Sequence, residues 1–411
     1  MKKIISLLLL ASTLICLLLA FSGCSESDIE TATLYVYNWG EYISDGTEGT
    51  LDVNELFEEW YYETYGVRVT VNYSTFASNE SLYAKLESGS VSYDVIVPSD
   101  YMIERMIKED MLAPLNYENI PAISNLLPEF YGENAVYDYY DEGGKYSVPY
   151  LYGMIGIIYN TSVVPMDDPS VGSWKLMWDE RYAGNILQFN NPRDAFGTAQ
   201  YYLGMDVNSK SEDDWRAALE LLKTQKKIVQ GYVMDEIFNK MENGSAAIAA
   251  YYAGDYLSMY ESNEDLEFFY PAEGTNLYID AMCIPKNSEN KTIAERYINF
   301  MLMEEAAIAN AEYTYYASPN RVVRENEDYI AYMNDIKEDG YEKMYGTEGT
   351  KTSSYKNLET KELLLLNELW EELKSDIQVG LPIYVICAVI LVILIGGGTF
   401  LGVRKKIRDK Y

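Results

Sequence analysis

Asp280 stands inside an otherwise apolar run, Tyr278-Ile279-Asp280-Ala281-Met282-Cys283-Ile284. A carboxylate on a buried strand is costly unless a cation or strong donors meet it, and the run itself holds no Lys or Arg. On a strand of period two, Tyr278 shares a face with Asp280 and sets an aromatic ring beside the charge. Such a pair would accept an ammonium group; the alternative is a carboxylate bonded to a helix N-terminus at a hinge. Asp194 is the second candidate. The run Asn191-Pro192-Arg193-Asp194 reads as a helix start, with Asn191 as N-cap, proline at the first position and the acid at the third. A capping box between Asn191 and Asp194 would account for that acid by itself. Aromatic residues collect at strand ends: Trp39 with Tyr42, Tyr251 with Tyr252, and Tyr315 with Tyr316 before Ala317-Ser318-Pro319-Asn320. Each alone reads as core or rim packing.

Other chemistries are excluded or unsupported. The 411 residues include no histidine, which removes Ser-His-Asp and Cys-His nucleophile pairs and imidazole acid–base work. There is no phosphate loop, His-Glu-x-x-His, Gly-x-Ser-x-Gly or Cys-x-x-Cys motif. With 64 acidic against 32 basic residues the net charge is −32, which repels nucleic acid and attracts small cations. Paired carboxylates such as Asp194 and Asp280 would also serve a hydrolase as acid and base, and a structural adhesin stays open at this point.

The surrounding elements alternate. A helix is expected over 54–65, stopped by Gly66, and a strand over 67–73 where Val67, Val69 and Val71 alternate with polar residues. A short helix follows at 79–88. Residues 94–98 form a continuous apolar run, the mark of a strand buried on both faces. Ser99 lies at its carboxyl end, where open α/β sheets bind ligands. Further strands are expected at 185–189, 246–252, 266–270 and 277–284. Helices are expected after Asn191, after Ser211, at 292–302 and at 362–374. The alternation predicts an α/β protein with mainly parallel sheets.

Both termini carry membrane signals. Lys2 and Lys3 precede an apolar stretch ending in Phe21-Ser22-Gly23-Cys24, so residues 1–23 read as a signal peptide and 24–32 as a linker. The site resembles a bacterial lipobox, with Cys24 as the lipidated residue and Phe21 where an aliphatic side chain is usual. Residues 379–403 carry no charge, long enough for a membrane-spanning helix. The tail at 404–411, with Arg404, Lys405, Lys406, Arg408 and Lys410, places its end in the cytoplasm and the rest outside. Of the four cysteines only Cys283 lies outside these terminal runs, so no internal disulfide is expected.

Several segments in order, over about 33–374, resemble the spermidine/putrescine-binding proteins of bacterial polyamine ABC importers. They include Asn38-Trp39-Gly40-Glu41-Tyr42, Ser78-Asn79-Glu80, Val97-Pro98-Ser99, Asn191-Pro192-Arg193-Asp194 and Tyr278-Ile279-Asp280. The resemblance implies a two-lobed binding-protein fold of type II with crossing hinge strands. Lobe one would be 33–148 with 279–330, and lobe two 149–278 with 331–374. It implies a monomeric, non-enzymatic protein without a cofactor, whose partners are a polyamine and the importer's permease subunits; a different organic cation is the alternative. Position by position it assigns ligand contacts to Trp39, Glu41 and Tyr42, to Ser99 and Tyr101, and to Asn191 and Asp194. Tyr252, Tyr278, Asp280 and Tyr316 complete the set. Asn191 falls where some members carry an aspartate and Tyr252 where the family has a tryptophan. The family's late polar contact, near residue 356, has no evident counterpart.

Overall fold

The computed structural model describes residues 29–375 apart from 134, 136, 137, 347 and 348. The expected signal peptide, Cys24, the 379–403 span and the basic tail lie outside the described residues. Among the described residues no helix is long and apolar enough to cross a membrane.

The first strand, β1 (Thr31–Trp39), buries Leu34 and Val36 and lies between two parallel neighbours, β2 (Arg68–Phe76) and β3 (Val95–Ile96). The helix between β1 and β2, Val53–Tyr65, is capped by Asp52 and ends at Gly66, whose φ of 70° is the left-handed conformation that suits glycine. Helix Asn79–Glu87 returns from β2, and Asp100–Lys108 follows Ser99.

The centre of the molecule is antiparallel. The strand β4 (Ser147–Asn160) is buried along all 14 residues. Its first half pairs with β9 (Thr275–Cys283), from Ser147 opposite Cys283 to Met154 opposite Leu277. Its second half pairs with β7 (Ile248–Tyr252) and β8 (Leu266–Phe269). Beyond β7 come the parallel strands β5 (Ile186–Phe189) and β6 (Val229–Val233), while β3 meets β9 at Ile96 and Cys283. The path β2-β1-β3-β9-β4-β7-β5-β6 therefore has a parallel group at each end and the long strands β4 and β9 crossing between them. The expectation of mainly parallel sheets is corrected to a mixed sheet. A continuous apolar run reports burial but not strand direction, and β4 carries Pro149, Gly153 and Gly156, which disguise it as a loop.

Helices clothe both ends. Lys291–Met301 and Glu304–Thr314 follow β9 on the β1 side, where Phe57 meets Tyr297 and Phe300 edge-on. The last helix, Thr360–Ser375, packs Leu366, Leu369 and Leu373 against Trp215, Leu219 and Leu222 of helix Glu212–Gln225, forming a second core. Between them, β10 (Thr352–Ser353) pairs with the start of β9 and delivers Tyr355 beneath the central strands. Cys283 is a free buried thiol.

Candidate ligand-binding cleft

The two groups of parallel strands point their carboxyl ends at a shared cleft. All eleven residues assigned from the sequence line it.

Asp280 sits on β9 and is 4% exposed. Its Oδ1 accepts the Ser99 hydroxyl at 2.6 Å and its Oδ2 the Tyr42 hydroxyl at 2.7 Å. Ser99 is held in turn by Asn79, whose amide donates to Ser99 Oγ and accepts from the Ser99 backbone N–H, both at 3.0 Å. Hydroxyls from two separate segments hold this carboxylate, one of them from Ser99, the N-cap residue of helix Asp100–Lys108. Burial is the largest influence and pushes the Asp280 carboxyl up to about 6, the two hydroxyl bonds opposing it.

Asp194 lies at the other end of the lining, on helix Pro192–Tyr202. Its Oδ2 accepts the Tyr252 hydroxyl and the Asn191 side-chain amide, each at 2.7 Å. Asn191 Oδ1 accepts the Asp194 backbone N–H at 2.8 Å and caps the helix. The reciprocal bond of a capping box is not made, because the Asp194 carboxylate turns to Tyr252 and to the cap's side chain. Burial raises its pKa.

Tyrosine rings fill the space between. Tyr42 and Tyr316 meet edge-on at 4.8 Å, Tyr252 and Tyr278 at 5.4 Å, and Tyr101 and Tyr355 at 6.2 Å. Three of these rings lie against glycines. A Cβ on Gly153 would stand 2.6 Å from the Tyr278 hydroxyl, one on Gly254 2.2 Å from the Tyr316 ring, and one on Gly197 2.0 Å from the Tyr355 hydroxyl. Any larger residue there would force the ring to shift. The buried Trp39 Nε1 and the hydroxyls of Tyr278 and Tyr355 make no hydrogen bond of ordinary geometry within the protein, while Tyr278 stands near Tyr316 and Tyr355 near Asp194. Glu41 is the most exposed of the set, takes a left-handed φ of 48°, and accepts from Tyr313 at 3.3 Å near the mouth. Opposite it, a Cβ on Gly40 would stand 2.9 Å from Asp235 Oδ2, so the rims touch there.

Four acceptors were not singled out in the sequence. Glu80 receives the Tyr101 hydroxyl at 2.9 Å; it belongs to the Ser78-Asn79-Glu80 match and was legible there. Asp255 lies in the first turn of helix Ala253–Ser262, and burial pushes its carboxyl up to about 8. Asp235 sits at the rim. Tyr355 stands beside the position where the late contact had no counterpart, in a segment with no local motif.

The lining therefore holds Glu41, Glu80, Asp194, Asp235, Asp255 and Asp280 and no Lys or Arg. Among the described residues no three Asp, Glu or Cys side chains come together as a metal cage would require. Separated carboxylates joined by aromatic walls suit an elongated organic cation better than a point charge.

This combination of fold and cleft defines a solute-binding protein. Residues 55–337 match the family of bacterial extracellular solute-binding proteins, and the chain belongs to that family; it is a binding protein and not an enzyme. Among its relatives is a spermidine/putrescine-binding periplasmic protein of Salmonella typhimurium, 32% identical over 309 residues, covering 75% of this chain and 83% of the relative. A solved Listeria monocytogenes structure assigned to spermidine/putrescine ABC transport superposes with a TM-score of 0.72 at 34% identity, over 84% of this chain and 99% of the other. The substrate-binding protein of a spermidine/putrescine ABC transporter from Streptococcus pneumoniae gives a TM-score of 0.64 at 31% identity, over 84% and 98%.

Proposed function

We propose that the protein captures linear polyamines, spermidine or putrescine, outside the cell and delivers them to the permease subunits of an ABC importer. The observation that carries this reading is the lining itself: six carboxylates, tyrosine walls and no basic side chain. One terminal ammonium is taken by Asp280 with Tyr278 and Tyr316 around it, the other by the end of the cleft at Asp194. Trp39, Tyr42, Tyr101 and Tyr252 enclose the methylenes, while Ser99 and Asn191 orient the two carboxylates and Glu41 guards the mouth. Each charge-assisted bond contributes roughly 1.5–3 kcal/mol and a desolvated cation over a ring about 1–2 kcal/mol, enough for micromolar affinity after association costs.

In this reading the lobes are 33–148 with 279–330 and 149–278 with 331–374, closing about β4 and β9 as a monomer. The chain is held at the outer face of the membrane by lipid on Cys24 and by the 379–403 helix. Titration calorimetry of the detergent-purified full chain against putrescine, cadaverine, spermidine and spermine tests the ligand class. Affinity for at least one of these, with none for a zwitterionic amino acid, is the expected result; no heat from any polyamine refutes the reading.

A further inference from the structure

The end of the cleft around Asp194 has only one carboxylate on its own helix, because Asn191 is neutral and is spent on capping and on Asp194. A second carboxylate reaches the same end from the opposite side. Glu80 lies on helix Asn79–Glu87, which follows β2, whereas Asp194 follows β5; the two strands lie toward opposite ends of the sheet path. Tyr101 connects them in space: its hydroxyl donates to Glu80, and both Glu80 and Asp194 act electrostatically on it. Tyr355 completes the arrangement. Its ring stands edge-on to Tyr101, it is 2% exposed, and its hydroxyl lines the cleft, makes no hydrogen bond of ordinary geometry and lies close enough to Asp194 to act on that carboxylate.

Resting on the polyamine reading above, we propose that Glu80 is a specificity-determining residue: with Asp194 and the Tyr355 hydroxyl it receives the ligand's second ammonium. An ammonium has three N–H donors, and the three groups offer one acceptor each. The two carboxylates repel each other, and the buried Arg193 guanidinium, 4.2 Å over the Tyr355 ring, offsets part of that repulsion; an ammonium between them offsets the rest, so a ligand with a charge at each end is favoured over one with a single charge. The burial that raises the Glu80 pKa adds to this, since a nearby ammonium restores the ionised form.

The test compares the full-length protein with its Glu80→Gln and Tyr355→Phe variants, using putrescine and n-butylamine as probes and the melting transition as a folding check. Glu80→Gln is expected to lower putrescine affinity by about 10- to 100-fold while n-butylamine, which still has the Asp280 end, changes by less than about threefold. Tyr355→Phe removes only a hydroxyl that makes no hydrogen bond of ordinary geometry; with its melting transition matched to wild type, it is expected to cost putrescine about 3- to 10-fold. An unchanged ratio of putrescine to butylamine affinity in Glu80→Gln, or full putrescine affinity in Tyr355→Phe, overturns the assignment of this end while leaving polyamine binding intact. Wild-type protein that does not distinguish putrescine from butylamine overturns the polyamine reading itself and this assignment with it.

Discussion

Asp280→Asn keeps the shape of the side chain and deletes the charge that would meet the ligand's ammonium. Truncating one partner of a buried charge pair costs about 2–4 kcal/mol, so polyamine affinity at pH 7.5 should fall by roughly 30- to 1,000-fold. The structure adds a signature in pH. The free carboxyl is raised to about 6, chiefly by burial, so it is ionised above that pH and neutral below it. A bound ammonium favours the ionised form, so wild-type affinity rises with pH through about 6 and a proton is released on binding below it. At pH 5 the wild type must first ionise Asp280 at a cost of about 1.4 kcal/mol, whereas Asn has nothing to ionise. The ratio of mutant to wild-type dissociation constants should therefore shrink about tenfold between pH 7.5 and pH 5. The unliganded variant moves the other way. A folded-state pKa raised from the ordinary 3.8 of an aspartate to about 6 means that the wild type loses stability as pH rises across that window, by roughly 3 kcal/mol at pH 7. Asn removes that cost but satisfies the Ser99 and Tyr42 hydroxyls less well, at about 1 kcal/mol, so its melting temperature should match or exceed wild type. Calorimetry at both pH values with thermal melts measures all three effects. A pH-independent affinity ratio would refute the argument.

Asp255→Asn should stabilise the unliganded protein increasingly from pH 4 to pH 8. The folded carboxyl titrates near 8 and its charged form is the disfavoured one, so a melting-temperature gap that narrows with pH would contradict this. Gly254→Ala should weaken polyamine binding about tenfold without touching ligand, because its Cβ displaces the Tyr316 ring and with it Tyr42; equal calorimetric affinities would show that the ring has room to move. Asp194→Asn should lose affinity yet leave the melting of the chain nearly unchanged, since the cap bond uses the backbone N–H of residue 194 and survives the substitution. Cys24→Ala alone should leave the protein in the membrane fraction, and Cys24→Ala with truncation after Ser375 should release it on ultracentrifugation; a pelleting double variant would overturn the anchoring scheme.

The separate elements and half of the lining were readable because their causes are local. Gly66 stops a helix wherever the chain places it, Asn191 and Pro192 start one, and an acid inside an apolar strand announces Asp280 regardless of the fold. Motifs spread along the chain likewise named eleven residues that the structure brings to a single cleft. What tertiary structure decided is everything that depends on which strand lies beside which. The strand β4 looks broken by Pro149, Gly153 and Gly156 until Tyr278 and Phe268 are seen to occupy the space those glycines leave. Its antiparallel course has no local signature, because hydrophobic runs encode burial and not direction. The carboxylate of Asp194 could cap its own helix or serve the cleft, and only the arrival of Tyr252 from another strand settles which. Glu80 and Tyr355 gain meaning in the same way. They lie 275 positions apart in the numbering, and only the fold brings both to one end of the cleft.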